Sequence, residues 1–400
     1  MSRHGQSNTA GISLAVQVRH FFAVQSCFQT VDWNDRTSRS MPPMTTATDT
    51  RLGVDLYGKA FEPADGAWLN LAWTLDETKL LGVNLSEVLQ RLLLEERDGD
   101  FPSIRHYAVD DGHGRKRLRT AAEKHFGLEL DSTQIFCGAG VTGLLYSLSS
   151  LCRKGLLCLG ATHVDLPAWI ARKGLRVDHF TESRRLDTSD LWLMENPGFF
   201  IQEFQEDLPS ICRLASDHHA IVVVDESNAN YLPPRNSWVK HVLEEKNLIV
   251  LRGFSKAYSL GSIRVGVAFC SSDLSHRLEM VMPPLAVSSL SLALASRLWS
   301  LGDIAAPIRE HISGRKPLMK SMLRSCGVHT LYFDNPALPY IVLPPDQQSL
   351  TKLNEMRIRG KLHSTVSLIE SQRLFFRLSI PLSEPRWLAL QKNLIEIVES

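Results

Sequence analysis

Residues 221–226 read IVVVDE: four β-branched apolar residues in a row, closed by two carboxylates. A strand with one wet face alternates apolar and polar residues. This run does not alternate, so the reading is a strand covered on both faces and ending at a mouth where charge is tolerated. The same pattern recurs on either side, at IFCG (135–138), LLCLG (156–160), RVDHF (176–180), LWLME (191–195), LIVLR (248–252) and RVGVAF (264–269). Seven nearly continuous apolar runs, separated by helix-compatible segments such as 141–154 and 165–174, predict a largely parallel seven-stranded sheet sandwiched by helices, an α/β architecture. In the segment 165–174, Asp165 is the expected N-cap and Gly174 the stop.

Three features at the ends of these strands carry chemistry. LRGFSKAYSLGSIRVG (251–266) places Lys256 just after a strand, among small and apolar neighbours, where a lysine is costly unless used. An amine there can condense with an aldehyde cofactor, and partial desolvation favours its reactive neutral form. Taken alone it is more readily a surface loop lysine. Asp225 sits where open α/β sheets bind ligands, and a carboxylate there can pair with a protonated ring nitrogen; otherwise it is a turn or capping aspartate. Gly138-Ala139-Gly140 joins a strand to an apolar helix, so its amides can cradle a phosphate, although a lone Gly-x-Gly is weak by itself.

In this order the three segments resemble the fold type I pyridoxal-phosphate enzymes of the class I/II aminotransferase superfamily, nearest the branch of histidinol-phosphate aminotransferase and threonine-phosphate decarboxylase. The resemblance covers about residues 65–400 and is strongest over FSKAYSLGSIRVG (254–266). It implies pyridoxal 5′-phosphate as cofactor, with Lys256 as the Schiff-base lysine and Asp225 on the pyridine nitrogen. Ser255 and Arg264 are then expected on the phosphate, together with Ala139, Gly140 and Val141 of the glycine loop. Asn196, in the Asn-Pro pair of LMENPG, falls on the residue that bonds the phenolic oxygen. Arg377, in FFRLSI, falls on the arginine that grips a substrate α-carboxylate. Tyr107 falls on a tyrosine that reaches the phosphate of a partner subunit, so a homodimer is expected.

The chain also departs from the family pattern. The position that usually carries a tyrosine beside the phenolic oxygen carries Asn228, with Tyr231 three residues later as a candidate substitute. The ring-stacking position carries His163, which can also move protons, although a loop histidine satisfying polar neighbours is the plainer alternative. Gly198 follows Asn196-Pro197 where a threonine is usual, and Gly253 replaces a phosphate-binding hydroxyl. The expected activity is that of an aminotransferase acting on an amino acid or a phosphorylated amino alcohol, with Lys256 moving the α-proton. The runner-up is a specialised biosynthetic enzyme performing β- or γ-elimination, cyclisation, decarboxylation or oxygen-dependent oxidation. A non-catalytic regulator is disfavoured by intact Lys256 and Asp225.

The chain has 400 residues, 44% of them hydrophobic, enough for more than one domain. The expected division is a flexible arm over 1–50, a segment over 51–100 contributing to a small domain, a large cofactor-binding domain over 101–286 and a small α+β domain over 287–400. In the last, a long helical region at 287–325 precedes strands at 340–345 and 374–380 and a helix at 385–399. Tyr57, Trp68, Trp73 and Asp76 lie near enough in sequence to meet a substrate side chain. Lysine plus arginine, 44, nearly balances aspartate plus glutamate, 43, so composition points to neither a nucleic-acid nor a membrane partner. No run of about eighteen apolar residues predicts a membrane span. Seven scattered cysteines without a C-x-x-C pair read as small buried hydrophobes in a reducing, cytoplasmic setting, and no metal site is expected.

Overall fold

The computed structural model describes residues 68–74, 76–98, 107–180, 186–199, 208–330, 334–344, 346–364 and 374–398. The expected arm over 1–50 and Tyr57 lie outside them.

Twelve strands occur among the described residues: β1 (Leu69–Asn70), β2 (Ile135–Ala139), β3 (Gly155–Cys158), β4 (Arg176–His179), β5 (Leu191–Glu195), β6 (Ile221–Glu226), β7 (Leu248–Gly253), β8 (Val265–Cys270), β9 (Tyr340–Leu343), β10 (Ile358–Arg359), β11 (Lys361–Ser364) and β12 (Leu374–Ser379). Seven of them form one sheet in the order β2-β8-β7-β6-β5-β3-β4. Each of the seven expected strands is present. The sheet is parallel except at β8, which runs against both β2 and β7. Only residues 254–264 join β7 to β8, too short for the helical crossover that a parallel pair needs.

The continuous apolar runs are explained by two separate layers. Val222, Val224, Val250 and Trp192 face one apolar cluster, while Val223, Ile221, Ile249 and Leu193 face the other. Every residue of β5, β6, β7 and β8 is buried. The helix Gly140–Leu148 covers the second layer through Leu144, Leu145 and Leu148. Helix Asp165–Arg172 starts one residue earlier than expected: Val164 is the cap and Asp165 is the first helical residue. The expected helical region 287–325 is two helices, Ser289–Ser300 and Ala306–Ser325, separated at Gly302, whose φ of +83° ends the first.

A three-stranded antiparallel sheet, β11-β12-β9, and the pair β1-β10 form the smaller assembly. The early chain is sewn into it: Ser379 N–H donates to the carbonyl of Leu71 at 2.7 Å. Asp76 caps this junction, accepting from the N–H of Leu382 at 3.0 Å and from Arg386 at 2.9 Å. Trp68 packs under the Arg359 guanidinium. Asp76 and Trp68 are thus structural. Helix Glu384–Val398 closes the assembly with Pro385 in its first turn. Among the described residues no helix is long and apolar enough to cross a membrane.

Candidate active site

A cavity of about 700 Å³ opens at the carboxyl ends of β5, β6 and β7, where β12 and the early chain meet the large sheet. Lys256, Asp225, His163, Asn228, Ser255, Arg264, Val141 and Arg377 all line it. Lys256 follows β7 in a tight loop: Tyr258 N–H donates to the Lys256 carbonyl at 2.7 Å, and Ala257 and Ser259 both have positive φ. Burial, reinforced by the positive charge of Arg377, pulls the Lys256 ammonium down to about 8.

At one end of the cavity Asp225 closes β6. The Ser227 hydroxyl donates to Asp225 Oδ1 at 2.5 Å and the Ser227 N–H donates to the same oxygen at 2.8 Å. Burial nevertheless raises this carboxyl above the ordinary aspartate range. His163 lies alongside. Its backbone N–H donates to Glu195, and its Nδ1 lies 3.4 Å from the N–H of Asp165 and 3.6 Å from that residue's Oδ2. Burial pulls its protonated form below the ordinary histidine range, so the ring is neutral.

At the other end is a cradle for an anion. The helix Gly140–Leu148 points its N-terminus at Arg264, whose guanidinium donates to the carbonyls of Ala139 at 3.0 Å and Gly261 at 3.1 Å. The backbone approach is close. A Cβ on Gly140, at φ +73°, would lie 2.4 Å from Arg264 Nη2, and one on Gly266 would lie 2.5 Å from the Gly140 carbonyl carbon. Two glycines therefore admit an arginine and a helix N-terminus side by side. Val141 sits 3.0 Å from where a Cβ on Gly253 would be, so the hydroxyl absent at 253 would not fit without movement. A group with a phosphate at one end, a basic ring nitrogen at the other and an aldehyde between them fits these residues.

Four expected site residues stand apart from the lining: Asn196, Tyr107, Ala139 and Gly140, the last of which belongs to the cradle described above. Asn196 is buried, and its amide donates to Glu226 at 2.7 Å and toward the Asn236 carbonyl at 3.5 Å. Glu226 itself is fixed by Arg252 at 3.1 Å and the Trp238 N–H at 2.7 Å. Tyr107 is 83% exposed and is not among the residues lining the cavity. Ala139 contributes its carbonyl to Arg264 rather than a surface to the cavity. Tyr231, the candidate substitute beside Asn228, instead turns away: its hydroxyl donates to Glu77 and accepts from the Ala257 N–H at 3.2 Å.

The structure also adds residues. Glu195 ends β5 beside Asp225, and burial raises its carboxyl well above the ordinary range. Its signal, a carboxylate closing an apolar strand, is the one that marks Asp225. Phe199 and Tyr340 supply aromatic walls alongside Trp73, which is among the residues expected near a substrate. Glu77, which also accepts from the Ser259 hydroxyl at 3.1 Å, has no local sequence signal because its partners lie in distant segments.

Residues 205–381 match the model of the family described as aminotransferase class I and II. A histidinol-phosphate aminotransferase of Flavobacterium johnsoniae is 31% identical over 124 residues, which cover 31% of this chain and 35% of that protein. A histidinol-phosphate aminotransferase 2 of Bacillus cereus is 26% identical over 211 residues, covering 48% of this chain and 56% of that protein. The matched stretches thus span from about a third to somewhat over half of these relatives. Among solved structures, the L-threonine-O-3-phosphate decarboxylase of Porphyromonas gingivalis superposes with a TM-score of 0.62 at 17% identity, covering 83% of this chain and 99% of that one. The histidinol-phosphate aminotransferase of Sinorhizobium meliloti, in complex with pyridoxal-5′-phosphate, superposes with a TM-score of 0.59 at 16% identity, covering 78% and 86%.

Proposed function

We propose that this chain, which has the fold type I architecture of the pyridoxal-phosphate-dependent aminotransferase superfamily and is related to its histidinol-phosphate aminotransferase and threonine-phosphate decarboxylase branch, binds pyridoxal phosphate and transfers the α-amino group of an amino acid. The observation that carries the reading is the placement of Lys256 in one cavity with Asp225, Arg264 and Arg377.

When bound, the cofactor supplies an aldehyde that condenses with an amine and a ring that withdraws electrons from the attached carbon. The protein supplies the rest. Arg264, Ser255 and the Val141 N–H would hold the phosphate, while the Gly140 N–H is given to the Arg264 carbonyl at 3.0 Å. Both donors of Ser227 go to Oδ1 of Asp225, which fixes the carboxyl plane and would leave Oδ2 to accept a hydrogen bond from the protonated ring nitrogen. Neutral His163 packs on the ring face. Arg377 orients the substrate by its α-carboxylate through a paired contact. Lys256, already eased toward its neutral amine by burial, removes the α-proton and returns it to a neighbouring carbon. Asn196 is buried with its amide turned to Glu226, and Asn228, which lines the cavity, is the alternative donor to the phenolic oxygen. The same reading makes the protein a homodimer in which exposed Tyr107 serves the partner's phosphate site.

A second reading is favoured by the polar side chains around the ring position. His163, Asn228 and Glu195 all line the cavity. Such a shell supports elimination, cyclisation, decarboxylation or oxygen-dependent oxidation. The test is a single turnover of cofactor-loaded protein with a panel of amino acids, without a keto-acid acceptor, with and without oxygen. One keto acid per cofactor, with no free ammonia, is the expected result. Repeated release of ammonia, carbon dioxide, a cyclic product or peroxide establishes the second reading instead.

A further inference from the structure

Two non-glycine residues just after Lys256 have left-handed backbone, Ala257 at φ +60° and Ser259 at φ +53°, a conformation that L side chains rarely adopt. Such a turn persists only where its surroundings hold it. Both residues are tied to one carboxyl group. The Ser259 hydroxyl donates to Glu77 Oε2 at 3.1 Å, and the Ala257 N–H donates at 3.2 Å to the Tyr231 hydroxyl, whose own proton goes to Glu77 Oε1. With both oxygens accepting, the arrangement suits the ionised carboxylate. Glu77 is only 2% exposed. Burial raises its carboxyl, while the Tyr231 hydroxyl, the charge of Lys256 and the hydroxyls of Ser259 and Thr74 pull the other way.

The neighbouring residues are bound to the small assembly. Asp76 accepts from the N–H groups of Leu382 at 3.0 Å and Ser383 at 2.5 Å, just past β12, and the Ala72 carbonyl accepts from Arg377 Nη2 at 3.1 Å. Ala72, Asp76 and Glu77 therefore join the strand that carries Arg377 to the turn that follows Lys256. The charges acting on Lys256 are those of Arg377, which opposes its proton, and of Glu77, Asp225 and Glu195, which favour it. Asp225 and Glu195 line the cavity, where a ligand meets them, whereas Glu77 is not among the lining residues. Resting on the reading that Lys256 is the amine that meets the cofactor and moves the α-proton, we propose that Glu77 is a positioning residue for Lys256. Through Tyr231 and Ser259 it holds the left-handed turn that presents the amine to the cavity, and it sets one fixed negative charge near that amine. Because Asp76 is bound past the end of β12, the same anchor fixes the amine relative to Arg377.

The full chain, freed of cofactor, is mixed with pyridoxal phosphate, and the rate of capture is followed by absorbance from about pH 6 to about pH 10. Only the neutral amine attacks the aldehyde, so the rate rises with pH to a plateau, with its midpoint at the pKa of Lys256, about 8. Glu77→Gln keeps the size and an acceptor but loses the charge, and its midpoint is expected to fall by about half a unit or more. Tyr231→Phe and Ser259→Ala keep the charge and each cut one tie. Their midpoints are expected to stay within about 0.3 unit of wild type while their plateau rates fall about three-fold or more. Ser259 is exposed, so its variant decides the matter should the other two fail to fold. An unmoved midpoint in Glu77→Gln overturns the assignment, as do plateau rates equal to wild type in both tether variants; a strut that serves stability alone gives both results. Lys256→Ala keeps the two readings apart. Capture that persists without Lys256 refutes the function on which the proposal rests, whereas capture that needs Lys256 but is indifferent to Glu77 refutes the positioning role alone.

Discussion

Glu195 and Asp225 are register partners at the ends of adjacent parallel strands, two buried carboxyls side by side beneath one cavity. Burial is the main reason that both hold their protons more tightly than usual, and for Glu195 the neighbouring Asp225 adds to it. Two such groups do not both ionise cheaply. Asp225 has the Ser227 hydroxyl and N–H to stabilise its anion, whereas Glu195 has the single N–H of His163. Glu195 is therefore the carboxyl of the two that holds its proton more tightly.

This assignment has a stability consequence. A carboxyl whose folded pKa is raised contributes fully below its unfolded value, and that contribution is lost as pH rises through the folded value. Glu195→Gln has no proton to lose and keeps an acceptor for His163 N–H. Cofactor-free Glu195→Gln is expected to melt above cofactor-free wild type in mildly alkaline buffer, with the gap closing on acidification toward the ordinary glutamate range. Each unit of pKa elevation corresponds to about 1.4 kcal/mol. Thermal melts across pH decide it: a constant gap, or one that widens in acid, contradicts a neutral Glu195.

Gly140 has a second, separable role. An alanine there meets Arg264 Nη2 at 2.4 Å and adopts φ +73° at a cost of about 1–2 kcal/mol. Gly174 has a similar φ of +75° with nothing within 4 Å of its Cβ position. Gly174→Ala thus carries the strain without the clash. Gly140→Ala is expected to weaken pyridoxal phosphate by about ten-fold or more, equivalent to at least about 1.4 kcal/mol, while Gly174→Ala leaves it unchanged. Equilibrium dialysis of the cofactor against each variant measures both. Equal affinities would remove the cradle from the phosphate site.

Tyr231 is a strut for the Lys256 loop. Its hydroxyl joins Glu77, in the early chain, to the Ala257 N–H, one residue after the lysine. Tyr231→Phe keeps the ring and leaves two buried groups short of a partner, at a cost of about 1–3 kcal/mol. Urea denaturation is expected to show that loss, and Glu77→Gln, which retains an acceptor for the hydroxyl, is expected to show less of it. If Tyr231→Phe is as stable as wild type, the contact does not hold the loop.

The seven central strands are legible because burial on both faces forces unbroken apolar runs, and Asp225, Lys256 and Arg264 are legible because charge at the end of such a run is costly. Glu195 obeys the same rule and is masked only by its neighbours, the Asn196-Pro197 pair that draws the eye as a motif. The direction of β8 is legible in principle from the short 254–264 connection. Glu77 is not legible, since long-range contacts bring it beside the Lys256 loop from a segment with no pattern of its own. The orientation of Asn196 likewise depends on Glu226, which reads in sequence as half of a Asp-Glu pair and in three dimensions as an anchor for Arg252, Trp238 and Asn196.

His163 and Asn228 both line the cavity where tyrosines are usual for the resembled family, and they flank Asp225 from different strand ends. His163 presents a ring whose protonated form burial disfavours, a group able to give or take a proton; Asn228 presents an amide, which donates without ionising near neutrality. A tyrosine at either position offers a weaker acid than a histidinium and a longer reach than an amide. If these two side chains direct the outcome, the double variant His163→Tyr with Asn228→Tyr shifts the product ratio toward keto acid by about ten-fold, a difference of about 1.4 kcal/mol between competing barriers. Each single variant is expected to move the ratio part of the way, because the two residues act on different atoms of one bound group. Product mass spectrometry after a single turnover reads the ratio directly. A wild type that already yields keto acid alone, or a ratio that does not move in the double variant, assigns both residues to cofactor binding and returns reaction choice to Lys256 and the substrate.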